Sequence, residues 1–446
     1  MTAAEAIGWT TLRAAIVAGV WLGLAPAVAA AVRSRAAILA AALPVLTPTL
    51  LIGYIARPWV LDRAAWVRDA VHAGYLVAIT LPLAVLACRL LPPAIDARGW
   101  AMATRSRRGT PGQRLRMLAA RHRPRLAAAV VAFVWTMQEA ELGILLQARG
   151  WPEWTRGQTI GFRDGLLAEL WPAVAIQLAA IGAGVLIVRG GEVARDDRVA
   201  RIEARIEAHI EKVTRWPLLL VAAAVIATTV LPLALLAGEA VRGAGGLLGQ
   251  RGLTMTLAWS VLLATVAALA AWGLVRVTRP AMLAVVAAAG TVGSLLVAIG
   301  VQSATRAIWP AGLGTPIPHT AALVLTLVPK ATVLMLVVRS VRDARAVRAA
   351  QLLGGRSWAV RRLEFALRDR PTWIALAVLA WTAYFDAVAA VVLAAPAMQT
   401  TTLQLYNFAH FNQILTLAAG LLLATAVPLG LIAAALAAGP LTIPRR

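Results

Sequence analysis

Cysteine is nearly missing from this 446-residue chain, with Cys88 the single one, set in an apolar run. A lone cysteine excludes an intramolecular disulfide and leaves a cysteine-based metal site without ligands. Lysine is almost as scarce: Lys212 and Lys330 are the only two. A phosphate-binding P-loop needs Gly-Lys-Ser/Thr, but Lys212 follows Glu and Lys330 follows Pro, so no such nucleotide site is present. His-Glu-x-x-His and Gly-x-Ser-x-Gly are absent too, which leaves an intramembrane enzyme without support. Charge as a whole is thin, at 14% of residues against about 25% in an ordinary soluble domain.

Apolar sequence fills the space. Hydrophobic residues make up 60% of the chain and the mean hydropathy is +0.76. This composition predicts an all-α polytopic membrane protein. A crossing helix needs roughly 20 mostly apolar residues. Eleven such runs are found, at 11–32, 36–56, 72–92, 125–147, 166–189, 216–238, 253–274, 280–301, 318–338, 372–395 and 413–438. The first run suits a span better than a cleaved leader, because its leading segment balances Arg13 against Glu5.

The net charge of +23 could signal nucleic acid, but its distribution points elsewhere. Basic loops (Arg33–Arg35, 93–124, 190–215, 275–279, 339–371 and Arg445-Arg446) alternate with loops carrying Trp, Gly and Pro. Eleven alternating spans put every basic loop on one face, which the positive-inside rule makes cytoplasmic. The N-terminus is then outside and the C-terminus inside. Trp59, Trp66, Trp151, Trp154 and Trp309 fall on the outer side, where interfacial indoles are expected.

The chain also repeats. A constant shift of 247 carries Ile52-Gly53 onto Ile299-Gly300, His72 onto His319, Pro82 onto Pro329, Asp96 onto Asp343, Pro124 onto Pro371 and Glu139 onto Asp386. Span 72–92 maps six spans onward, so the expected repeats are parallel, related by a pseudo-two-fold axis along the membrane normal. The expected organisation is a first repeat over 1–190 with five spans, a cytoplasmic linker over 191–215, and a second repeat over 216–446 with six. Within the linker, Val199, Ile202, Ile206 and Ile210 form one apolar stripe, predicting an amphipathic helix on the membrane surface.

Each repeat has one long basic segment, 93–124 and 339–371. The second contains RAAQLLGGRSWAVRRLEFALRDRP (348–371), which predicts two short helices joined at Gly354-Gly355, where glycine permits the turn. Ala349-Ala350, then Gly354, then Leu363-Glu364-Phe365 and Pro371 resemble the Glu-Ala-Ala…Gly…Leu-Pro loop of permeases of binding-protein-dependent ABC importers. The stretches 381–413 and 132–154 look like those of the fused two-domain members of the ferric-iron, thiamine and polyamine type. Arg348 stands where that family has Glu, and in 93–124 Gly109 is the convincing match.

The resemblance implies a type I permease fold in the inner (plasma) membrane of a bacterial cell. Gly109, Arg348, Ala349, Ala350, Gly354 and Gly355 would then couple to two copies of a separate ATPase, which binds the ATP. An extracytoplasmic solute-binding protein would be the other partner, besides membrane lipid; no nucleic acid and no cofactor in this chain are expected. An ATP-independent secondary transporter or channel is the alternative. Glu139, Glu141 and Asp386 lie at membrane depth, where a charge costs roughly 3 kcal/mol or more, and are expected to line the solute path. His72 and His319 are expected to be polar caps at the outer interface.

Overall fold

The computed structural model describes residues 1–32, 34–91, 110, 117–159, 166–189, 216–250, 252–341, 369–393, 395, 398–411 and 413–437. The expected coupling residues Gly109, Arg348, Ala349, Ala350, Gly354 and Gly355, and the linker stripe 198–213, lie outside the described residues. Among the described residues the secondary structure is helical throughout, without strands. Two compact units are present, Met1–Pro232 and Leu233–Arg446.

The first unit runs α1 (Ala3–Ala31), α2 (Arg35–Leu46), α3 (Thr49–Val60), α4 (Ala65–Leu90), α5 (Arg123–Gln138), α6 (Glu141–Leu145), α7 (Trp151–Thr159), α8 (Leu166–Arg189) and α9 (Trp216–Val225). A five-residue π segment, Ile226–Val230, follows α9 and leads into α10 (Leu231–Leu248). The unit boundary therefore falls inside the apolar stretch Trp216–Leu248, whereas the sequence expectation placed everything from 216 in the second half. The reason is packing: α9 lies against α1, α2 and α4, and Thr229 of the π segment meets Thr47 through their hydroxyls at 2.7 Å.

Helix directions follow from paired contacts. Arg13 meets Asp69 and Trp21 meets Thr80, so α1 and α4 run the same way. His72 meets Glu139 and Cys88 meets Pro124, so α4 and α5 are antiparallel. Their shared core is built from Val17, Trp21 and Val28 of α1, Leu76 and Ala84 of α4, and Ala128 and Ala132 of α5. Small residues at these positions let the helix axes approach closely, as packing within lipid requires. Apolar side chains of α8 and α9 stay exposed: Leu186 is 71% accessible and Leu219 66%. Such exposure suits a hydrocarbon solvent.

The second unit runs α10, α11 (Leu253–Val277), α12 (Pro280–Gly290), α13 (Ser294–Ile308), a 3₁₀ turn (Pro310–Gly314), α14 (Ile317–Val341), α15 (Arg370–Tyr384), α16 (Ala387–Leu393), α17 (Thr401–His410) and α18 (Ile414–Ala437). Pro329 has no N–H for the carbonyl of Leu325 one turn back. Gly290 of α12 covers that carbonyl so closely that a Cβ on it would sit 2.0 Å from the oxygen.

Among the described residues six helices are long and apolar enough to cross a membrane, or up to nine if each bent pair counts as one span. The eleven runs read from sequence are thus not all straight crossings. Run 36–56 is α2 and α3, bent by 80° at Thr47-Pro48. Run 280–301 is α12 and α13, bent by 106° at Gly293, whose φ of +101° suits glycine alone. Run 372–395 is α15 and α16, bent by 51°. Run 125–147 is broken as well, between α5 and α6.

Candidate functional site

Glu139 and Asp386, one of the pairs related by the 247-residue shift, both sit at helix breaks. In the first unit α5 ends at Gln138 and α6 starts at Glu141. The first turn of a helix has N–H groups without intrahelical partners. Glu139 supplies one acceptor set for α6: its carboxylate takes the N–H of Leu142 at 2.5 Å and of Gly143 at 3.3 Å. The same carboxylate meets His72 Nε2 at 2.9 Å. His72 is only 2% exposed, so it is a buried partner and not the interfacial cap expected from sequence. Gly143 makes the approach possible, since a Cβ there would lie 3.1 Å from His72 Cε1.

The break also exposes backbone acceptors. In an unbroken helix the carbonyl of Met137 would receive the N–H of Glu141. Here the indole Nε1 of Trp151 donates to it at 3.0 Å. Trp151 is fully buried and Trp154 nearly so, which corrects their assignment as interfacial anchors; Trp59, Trp66 and Trp309 are the exposed ones. The start of α7 is fixed in turn by Thr10, whose hydroxyl accepts the Trp151 N–H at 3.1 Å. Glu141 accepts a hydrogen bond from the hydroxyl of Thr49 at the start of α3.

One turn from His72, a set of ion pairs that the sequence did not single out ties three elements together. Asp69 of α4 accepts from Arg13 of α1 at 2.8 Å, and from Arg149 through its N–H at 2.9 Å and its Nε at 2.7 Å. Arg13 donates again to the Arg149 carbonyl at 2.6 Å. The Arg149 guanidinium stacks 3.7 Å over the Trp9 ring. Two cations and one anion, with Glu139 beside them, form a charge-compensated knot.

In the second unit Asp386 occupies the break between α15 and α16. Its Oδ1 accepts the Ala389 N–H at 2.9 Å, so it caps α16 as Glu139 caps α6. His319, 4% exposed, is likewise buried, against the expectation of an interfacial cap. No direct bond joins it to Asp386; both line a small polar cavity with Ser260, Tyr384, Thr400 and Thr402. Around it Ser260 accepts the Thr401 N–H at 2.6 Å and the Tyr384 hydroxyl donates to the Thr401 hydroxyl at 3.3 Å. The start of α17 is therefore held by hydroxyls, with no ion pair there among the described residues.

The expected path residues Glu139, Glu141 and Asp386 are thus brought to helix breaks, each engaged with a neighbour. Asp69, Arg13, Arg149 and Ser260 were missed because they lie in different elements and resemble ordinary loop or helix-end residues. Comparisons of the chain with protein-family models, with curated proteins and with solved structures each returned no match.

Proposed function

We propose that the chain is the permease subunit of a binding-protein-dependent ABC importer, in a bacterial inner membrane. The carrying observation is the duplicated broken helix. α5 and α15 start 247 residues apart, at Arg123 and Arg370, and each is followed within two residues by an acidic residue that caps the next short helix, with a buried histidine nearby. Pro82 of α4 and Pro329 of α14 keep the same spacing. This supports two parallel repeats within an eleven-span chain, N-terminus outside and C-terminus inside. The repeats would rock against one another, and the segments 93–124 and 339–371 would dock on two separate ATPase subunits through Gly109, Arg348, Ala349, Ala350, Gly354 and Gly355. A solute-binding protein would deliver ferric iron, thiamine, a polyamine or a similar small molecule from outside.

The test is assembly and uptake. Bulky replacements at Gly109, Gly354 and Gly355 are expected to abolish co-purification with the cognate ATPase and ATP-driven uptake. Retention of both would remove the reading.

A second reading, an ATP-independent secondary transporter or channel, is favoured by the broken helices themselves. Discontinuous membrane helices with ionisable residues at the breaks are a common way to build ion and solute sites in such transporters. Uptake by the chain alone in vesicles, driven by an ion gradient without ATPase, would select it.

A further inference from the structure

We propose that the cavity between His319 and Asp386 is a binding site for one water molecule, which bridges the two side chains. The inference stands on this unit's own geometry and does not depend on the transport reading.

Three observations carry it. First, size: the cavity measures about 10 Å³, which is roughly the smallest space that admits one water. Second, demand: a buried neutral imidazole needs both a donor and an acceptor partner, yet His319 makes no hydrogen bond among the described residues. Asp386 accepts the Ala389 N–H through Oδ1 and lines the same cavity. Buried polar groups of this kind are completed by protein or by ordered water. Third, the first unit supplies the counter-case. There a glutamate, longer by one methylene or roughly 1.5 Å, reaches Nε2 of its histidine directly at 2.9 Å, while His72 Nδ1 is buried with no partner among the described residues and no room for water beside it. Aspartate falls short, and the deficit is filled by solvent.

The lining selects water over a metal cation. Among the described residues no group of three His, Cys, Asp or Glu side chains gathers that could hold a metal ion. A water can accept from the imidazole, donate to the carboxylate and still meet the hydroxyls of Thr400 and Thr402, giving it the three or so bonds typical of buried waters. The second unit then carries a hydrated acid–base pair where the first carries a dry one.

The experiment is solid-state NMR of the full chain in lipid bilayers, labelled with ¹⁵N-histidine and assigned through His319→Gln and His72→Gln. Polarisation transfer from water is read at each ring. Transfer to His319 and none to His72 is expected. Asp386→Glu should abolish the transfer at His319 by closing the gap. Asp386→Asn, which keeps the cap and the length, should retain it, and keeps the test open if the glutamate variant misfolds. Absence of transfer at His319 in the unaltered chain overturns the proposal. So does persistence in a folded Asp386→Glu variant, or a His319 shift that tracks added sodium or potassium, which would make the occupant a cation.

Discussion

The two units solve one problem with different chemistry. Each must restart a helix just after a break and must hold the following short helix, α7 or α17, against its first long helix. The first unit uses charge: Arg13 and Arg149 converge on Asp69, and Trp9 covers Arg149. The second has Ser260 at the position 247 residues after Arg13, and holds α17 with Ser260, Tyr384 and the Thr400–Thr402 run. A buried ion pair gives little net stabilisation, because desolvation offsets most of its attraction, yet removing one partner is severe because it leaves a charge uncompensated. Hydroxyl joints involve smaller opposing terms and break less severely. The first unit should therefore be brittle at single positions and the second graded.

The largest expected effect follows directly. Arg13→Ala leaves Asp69 buried with half its compensation and should destabilise the first unit by about 3–5 kcal/mol. Loss of the folded fraction in bilayer-reconstituted protein, read by protease resistance against denaturant, would show it. A loss below about 1 kcal/mol would mean the pair behaves as an exposed one. Gly290→Ala is the corresponding severe change in the second unit. Its Cβ would run into the Leu325 carbonyl, and overpacking of this kind costs about 1–3 kcal/mol or more.

Next comes Trp151→Phe, which keeps the ring and removes the N–H that satisfies the Met137 carbonyl. The expected loss is about 1–3 kcal/mol, and it should appear as faster amide exchange at the break between α5 and α6. Ser260→Ala removes one acceptor from the Thr401 N–H and should cost about 1 kcal/mol. If Ser260→Ala proves as severe as Arg13→Ala in the same assay, the brittle–graded contrast fails. Smallest of all, Glu139→Asp should preserve the cap of α6 while opening a gap to His72, making the first unit resemble the second. Water polarisation transfer to His72 would appear, with a stability change of no more than about 1 kcal/mol.

Much of this was visible in the residues before the fold. Long apolar runs announced helices, and ionisable residues at membrane depth singled out Glu139, Glu141 and Asp386, read there as lining a solute path. Hydropathy carries no direction, however, so the 80° and 106° bends were hidden within two uninterrupted apolar runs. Thr47-Pro48 and Gly293 were the local traces of those bends. The ion knot was hidden for another reason. Asp69 is 56 residues from Arg13 and 80 from Arg149, and each alone looks like a solvated charge near a helix end. Trp151 and Trp154 misled because an indole suits both an interface and a buried carbonyl, and only the break in α5 decides between them.

That last contact has a consequence for how substitutions can drift. The acceptor at position 137 is a backbone carbonyl, so this hydrogen bond fixes the donor at 151 and leaves the buried Met137 side chain constrained by packing alone. In the second unit the donor has moved to the side chain of Tyr384, 247 residues after Met137, and the acceptor is the hydroxyl of Thr401. There both identities are tied. A contact to a carbonyl thus constrains one residue at this joint, and a contact between two side chains constrains two.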